Sequence, residues 1–276
     1  MTDLSEHLLA EIEDEAARLA ALAGAEIAST IGRSLAVRYK TGGEDETQMR
    51  NPVSEVDHHV ESLIRSELAG RFPDHDIIGE EIDERPGAND DFIWVIDPVD
   101  GTSNFVNGFP IYSASIGVLH KGRPVAGAVW CSTSHALRPG VYHAREGGNL
   151  RFDAQTLHRP GKDQVKRRLV SVPPTVRGLK RWDVRKTGSA AIDCVFAAAG
   201  MLEVARFDRL SLWDVAGGAA LGRAAGCTVM TRGKNGWEPL ERFAAPDGDT
   251  GPGDLKHWRG AILIGQPDAI ASGAFD

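Results

Sequence analysis

Several things are scarce in this chain of 276 residues. Cysteine is one: Cys131, Cys194 and Cys227 stand far apart, with no C-x-x-C pair. That excludes a disulfide framework and fits a reducing compartment. No apolar run approaches the ~18 residues of a membrane span, so no transmembrane helix is expected. The opening stretch, MTDLSEHLLAEIEDEAARLA, is acidic and amphipathic. It lacks the basic start and apolar block of a signal peptide, so a soluble cytoplasmic protein is the expectation. Positive charge is also short. The net charge is -8, which argues against a nucleic-acid backbone as partner. The basic run KDQVKRR at 162–168 reads as a solvated face. Among nine histidines there is no H-x-x-x-H or H-E-x-x-H pattern, so nothing suggests zinc. His58 and His59 are adjacent on an expected helix, point apart, and read as ordinary helix-surface or partly packed residues.

What is present reads as alternating helices and strands. Leu4, Leu8, Ile12, Ala16, Leu19, Ala23, Ile27 and Ile31 recur at helical spacing and predict a long amphipathic first helix. LAVRYK predicts a short strand, and TGGEDETQMRNP a loop closed by Pro52. Ser54 to Phe72 predicts a second helix, with Ser54 as N-cap and Asp57 in a weak capping-box position. HDIIGEE and DFIWVID predict strands. YSASIGVLHKGRPVAGAVWC predicts a hairpin turning at His-Lys-Gly-Arg, with further strands near 141–144 and 149–152. Beyond about residue 155, LVSV, EVARF, CTVM and AILIG predict strands. SAAIDCVFAAAGML and DVAGGAALGRAAG predict closely packed small-residue helices. The chain divides into an N-terminal α+β half at 1–150 and a C-terminal α/β half at 151–276.

One stretch carries chemistry: WVIDPVDGTSNF, residues 94–105. Asp97 follows a buried-type strand, and Pro98 is expected to end regular pairing there. A bend must then bring Asp97 and Asp100 to one point. Gly101 allows close backbone approach. Thr102 or Ser103 is expected to cap a short helix whose N–H groups face that point. DPVDG alone is an attractive turn. The aspartyl-nucleophile phosphatases carry Asp-x-Asp, with one intervening residue; here there are two, so a phospho-aspartyl enzyme is excluded. Glu80 follows a second strand end. Asp214 opens an Ala/Gly-rich helix, where its simplest role is an N-cap. Strand ends of an α/β layer converge on one crevice. Together Glu80, Asp97, Asp100 and Asp214 would supply four negative charges, which two divalent cations would neutralise and so attract a phosphate. All-oxygen ligation favours Mg²⁺ over zinc.

These residues resemble the inositol monophosphatase family of Mg²⁺-dependent, lithium-sensitive phosphatases. The resemblance rests on GEE at 79–81, WVIDPVDGTSNF at 94–105 and WDVAGGAALGRAAGC at 213–227. NPVSEVD at 51–57 and GSAA at 188–191 support it. It implies an αβαβα layered sandwich of the inositol monophosphatase / fructose-1,6-bisphosphatase type, usually a homodimer. Glu80, Asp97 and the Val99 carbonyl would hold one metal, and Asp97, Asp100 and Asp214 the second. Two or three Mg²⁺ per subunit are implied. Gly101 and Thr102 would sit against the substrate phosphate, bounded by Val99, Asp100 and Asp214. Glu80 and Thr102 would contact the attacking water. Lys40 matches a basic position near the site. The implied partner is a small phosphorylated metabolite, with inositol monophosphate the default. Relatives cleave histidinol phosphate, fructose 1,6-bisphosphate or 3'-phosphoadenosine 5'-phosphate. A remote alternative is a non-catalytic relative that binds a phosphorylated ligand.

Two departures matter. Asn51 stands where the family often has Asp, so any additional metal should bind more weakly and Thr102 should be less activated. Phe207 stands where inositol-selective members carry Glu, with Asp208 beside it, which leaves the contact to a sugar or inositol hydroxyl open.

Overall fold

The computed structural model describes residues 4–31, 37–39, 52–85, 89–158, 168–245 and 248–275. Asn51, Lys40 and residues 162–167 of the basic run therefore lie outside the described residues. In chain order the elements are α1 (Glu6–Thr30), β1 (Val37–Tyr39), β2 (Pro52–Ser54), α2 (Glu55–Arg71), β3 (His75–Gly79) and β4 (Asn89–Asp100). There follow α3 (Thr102–Val106), β5 (Ser113–His120), β6 (Arg123–Cys131), β7 (Gly140–Arg145), β8 (Arg151–Phe152) and β9 (Gln155–Thr156). The remainder is β10 (Leu169–Ser171), β11 (Asp183–Arg185), α4 (Ala190–Ala198), β12 (Val204–Ser211), α5 (Leu212–Ala224), β13 (Thr228–Gly233), β14 (Gly236–Pro239), α6 (Pro252–Leu255), β15 (Arg259–Gly265) and α7 (Pro267–Ile270).

Two sheets form the frame. One has seven strands in the order β3-β4-β5-β6-β7-β8-β9, and the other six in the order β11-β10-β12-β15-β13-β14. α1 and α2 cover the outer face of the first sheet, and α4 and α5 lie between the sheets. α7 and the segment ending at Phe275 cover the outer face of the second. The layers are thus α, β, α, β, α, as the family resemblance implied.

The apolar run of β4 follows from this layering. Phe92, Trp94 and Ile96 pack with α1 and α2, while Ile93 and Val95 pack with α5. A strand covered on both faces shows no polar alternation. α5 is buried nearly all round for the same reason. Its Gly217 lets the helix approach β5 so closely that a Cβ on Gly117 would lie 2.6 Å from the Gly217 nitrogen. The hairpin of β5 and β6 turns at Lys121 and Gly122, both at positive φ, between the paired residues His120 and Arg123. This is the two-residue turn that matches strand twist.

Candidate metal and phosphate site

The site forms where the ends of β3 and β4 meet the N-termini of α3, α4 and α5. β4 does not stop at Asp97. It runs through Pro98 to Asp100, with Asp97 paired to Ser115 of β5 and Asp100 paired to Ser113. Three steps on β4 match two on β5, so one residue is inserted as a β-bulge. The sequence expectation that Pro98 ends the pairing is corrected accordingly. Proline fits here because a bulge spares it a ladder donor.

Gly101 follows at φ 85° and is the N-cap of α3. A side chain there would crowd the carbonyls of Ile111 and Gly188, at 3.2 and 3.3 Å from its Cβ. Thr102 is therefore the first helical residue, and neither it nor Ser103 caps α3 as expected. The Thr102 hydroxyl instead faces the Val99 carbonyl at 2.8 Å and Asp57 Oδ1 at 3.0 Å. Asp57 is buried on α2. Thr102 thus has a carboxylate neighbour whatever stands at position 51.

Asp97, Asp100 and Asp214 each present an oxygen, and the three atoms lie within 4.8 Å of one another. Asp100 lies against the N-terminus of α4. It accepts from Ala191 N at 2.8 Å, Ala190 N at 3.2 Å and Ser113 Oγ at 3.0 Å, and from the hydroxyl of Ser189, which is the N-cap of α4. Asp214 is not an N-cap. Ser211 caps α5, and Asp214, three residues on, accepts from the Ser211 N–H at 2.7 Å. This is a capping box, so both readings of Asp214, helix start and site acid, apply to one side chain.

Asp97 is the most isolated of the three. It is buried, and its Oδ1 has no hydrogen-bond partner among the described residues. Burial, then the charges of Glu80, Asp100 and Asp214, push its carboxyl well above the ordinary range. Burial also raises Asp100, against the pull of Ser189, Ala191, Ser113 and Ala190. Burial and the Asp100 charge push Asp214 up to about 7. Glu80 stands just past β3, its N–H bonded to the Ile96 carbonyl at 3.2 Å, and it is close enough to hydrogen-bond Asp97. An orphaned, buried acceptor among repelling carboxylates is what a divalent cation with oxygen ligands resolves. The residues therefore fit Mg²⁺, with Glu80, Asp97, Asp100, Asp214 and the second lone pair of the Val99 carbonyl as available donors.

The loop carrying Glu80 is held by residues that sequence reading missed. Glu61 of α2 is fully buried and accepts from Glu81 N at 2.7 Å and Ile82 N at 3.1 Å. Arg65 bonds Glu61 Oε1 at 2.8 Å and donates to the carbonyls of Ile82 and Glu84. A signal was present. Asp57, Glu61 and Arg65 recur every four residues beside the apolar stripe of Val56, Val60 and Ile64, a charged row where a solvated face would not be. Phe207 packs, half-buried, with the cluster that contains Leu210, Trp213 and Trp258. Asp208 is taken up by Thr175 at 2.8 Å and Arg206 at 2.9 Å. His58 and His59 are exposed, as expected. Among the described residues no helix is long and apolar enough to cross a membrane.

Comparison with known proteins identifies relatives of the chain. The sequence pattern of the inositol monophosphatase family matches residues 8–259. The chain is 30% identical over 241 residues to inositol monophosphatase 1 of Sus scrofa, covering 80% of this chain and 83% of that protein. It is 30% identical over 241 residues to the chloroplastic phosphatase IMPL1 of Arabidopsis thaliana, and spans 62% of that protein's length. The crystal structure of the extragenic suppressor protein suhB from Bartonella henselae superposes with a TM-score of 0.74 at 22% identity, covering 96% of this chain and 97% of that one. On the span of the family match, and on the identity to the porcine protein, this chain belongs to the inositol monophosphatase family.

Proposed function

We propose that the chain is a Mg²⁺-dependent phosphomonoesterase that hydrolyses a small phosphorylated metabolite, with inositol monophosphate the first candidate. The observation that carries this reading is the convergence of Asp97, Asp100 and Asp214 within 4.8 Å, one Asp97 oxygen being buried without a hydrogen-bond partner among the described residues. Family membership supports it.

In this reading Glu80, Asp97 and the Val99 carbonyl hold one cation, and Asp97, Asp100 and Asp214 a second. When bound, the cations neutralise the carboxylates, lower the pKa of a water and offset charge on the phosphoryl oxygens. The rest falls to the protein. The transition state of phosphoryl transfer is loose, so positioning and electrostatics dominate. Gly101 and Thr102, at the start of α3, would sit against the phosphate. Glu80 and Thr102 orient the attacking water. Thr102 passes hydrogen-bond density towards Asp57, which keeps its oxygen free to accept from that water. The subunit is proposed to act as a homodimer.

A phosphate-release panel tests this reading. It compares inositol 1-phosphate, histidinol phosphate, fructose 1,6-bisphosphate and 3'-phosphoadenosine 5'-phosphate, each with Mg²⁺ and with EDTA. Release from at least one, abolished by EDTA, is expected. No release from any would leave a phospho-ligand-binding relative without turnover. Phe207 bears on the choice among substrates. Phe207→Glu should shift kcat/KM towards the polyol phosphate by about tenfold, or ~1.4 kcal/mol; an unchanged ranking would remove Phe207 from the substrate contact.

A further inference from the structure

Lys256 touches both ligand-bearing ends of the site without pairing to any of its acids. Its Nζ donates to the Gly79 carbonyl at 2.6 Å, directly before Glu80. The same atom lies 5.5 Å from the centre of the Trp213 ring, directly before Asp214. It also pairs with Asp83, at 2.9 Å, and that carboxylate is 94% exposed. An ion pair to so exposed a partner contributes little. The lysine itself is only 18% exposed. Its backbone is anchored by the fully buried Leu255 at the end of α6.

The position is specific. The peptide group that leads into Glu80 is fixed at both its polar ends. Its own N–H is bonded to Ile96 of β4, the residue before Asp97. The carbonyl before it is bonded to Lys256. An ammonium free to reach the site's carboxylates would be drawn to pair with one. Two features prevent that: the carbonyl of Gly79 and the face of Trp213, which also carries the guanidinium of Arg259 at 4.9 Å. The ammonium is thus parked at the margin, where it steadies the Glu80 loop and leaves the space between the acids for a metal.

We propose that Lys256 is a positioning residue for the metal site, joining the β3 end that presents Glu80 to the start of α5 that presents Asp214. This inference rests on the reading of the chain as a Mg²⁺-dependent phosphatase. The test is Mg²⁺ binding by titration calorimetry to the EDTA-stripped full-length protein, for wild type, Lys256→Met and Lys256→Arg. Thermal unfolding in EDTA and kcat at saturating Mg²⁺ are measured alongside. Lys256→Met should weaken Mg²⁺ binding about tenfold while kcat at saturating Mg²⁺ changes by less than about threefold. Lys256→Arg, which keeps the charge and a donor, should recover at least half of the loss on a logarithmic scale. A Lys256→Met isotherm equal to wild type overturns the proposal, even if its melting temperature in EDTA falls, because that pattern is structural support only. If Lys256→Met does not fold, a Lys256→Arg isotherm equal to wild type, together with Lys256→Gln binding Mg²⁺ as tightly, overturns it as well. Failure of the underlying reading looks different: wild type itself would bind no Mg²⁺ or release no phosphate.

Discussion

The molecule buries carboxylates in two places and treats them in opposite ways. On α1, Glu13 and Glu15 are buried, and each is paired with basic side chains. Glu13 meets His143 at 2.8 Å and Arg145 at 3.4 Å. Glu15 meets Arg18 at 2.7 Å and Arg71 at 3.5 Å. At the ends of β3 and β4, Asp97, Asp100 and Asp214 are gathered as closely, yet no ion pair to them occurs among the described residues. The first arrangement holds a helix on a sheet and is complete. The second is held together by backbone N–H groups and serine hydroxyls and stays short of positive charge. Burial alone does not mark a site; burial without a counter-ion does.

The contrast can be broken from either side. The largest effect is expected under α1. Glu13→Ala strands His143 and Arg145 and should cost about 3–5 kcal/mol of stability, the range for breaking a buried pair. Chemical denaturation checks this, and Mg²⁺ should not restore the loss. Asp97→Asn attacks the other side. It should cut kcat at least a hundredfold, about 2.7 kcal/mol, and retention of a tenth of wild-type turnover would refute the role given to Asp97. Gly79→Ala comes next. A Cβ there would collide with the Glu61 carboxyl. A loss of ~1–3 kcal/mol is expected for such overpacking, with a raised Mg²⁺ requirement in the phosphate-release assay.

The smallest effect is the most diagnostic. In EDTA the folded protein keeps protons on Asp97, Asp100 and Asp214 that the unfolded chain releases near pH 4. Native protein then binds more protons than unfolded, so stability falls as pH rises from about 4 through the folded values, Asp214's being about 7. Asp97→Asn should therefore stabilise the metal-free protein at pH 7.5, on the order of 1 kcal/mol, while it destroys activity. His143 also loses its contribution on raising pH. Burial depresses it, but Glu13 and the Asp153 carbonyl outweigh that and hold it above its ordinary 6.5. Its stabilisation is full below 6.5 and is lost as pH passes the raised value. Only the loss at the site should be reversed by Mg²⁺, which melting curves with and without the ion will separate.

Much of this was readable in the chain. The helix and strand positions were legible because the apolar periods are strong, and the four acids because each stands at or just past a strand end or at a helix start. The β4 bulge was not legible as such. A proline between two acids signals irregularity but does not say whether pairing resumes, and that depends on Ser113 and Ser115 of another strand. Asp57 and Glu61 were obscured for a different reason. Acids in the first turns of a helix have a sufficient local explanation in capping and helix polarity, and only tertiary contact with Thr102 and the Glu81 amide gives them another use. Lys256 lies 177 positions from Gly79 in sequence, and no local pattern could connect them.

The inserted residue in β4 makes the reaction a matter of parity. On a regular strand, side chains three apart face opposite sides. Asp97 and Asp100 face the same side because their partners, Ser115 and Ser113, are an even number apart. Inserting one residue beside Ala114 of β5 would leave both aspartates in the sequence and let the ladder close without its bulge, with Asp100 turned from the cluster to the opposite face. The acids that define the site are thus tied to a count of residues as firmly as to their identity, and an insertion or deletion here would be more damaging than most substitutions.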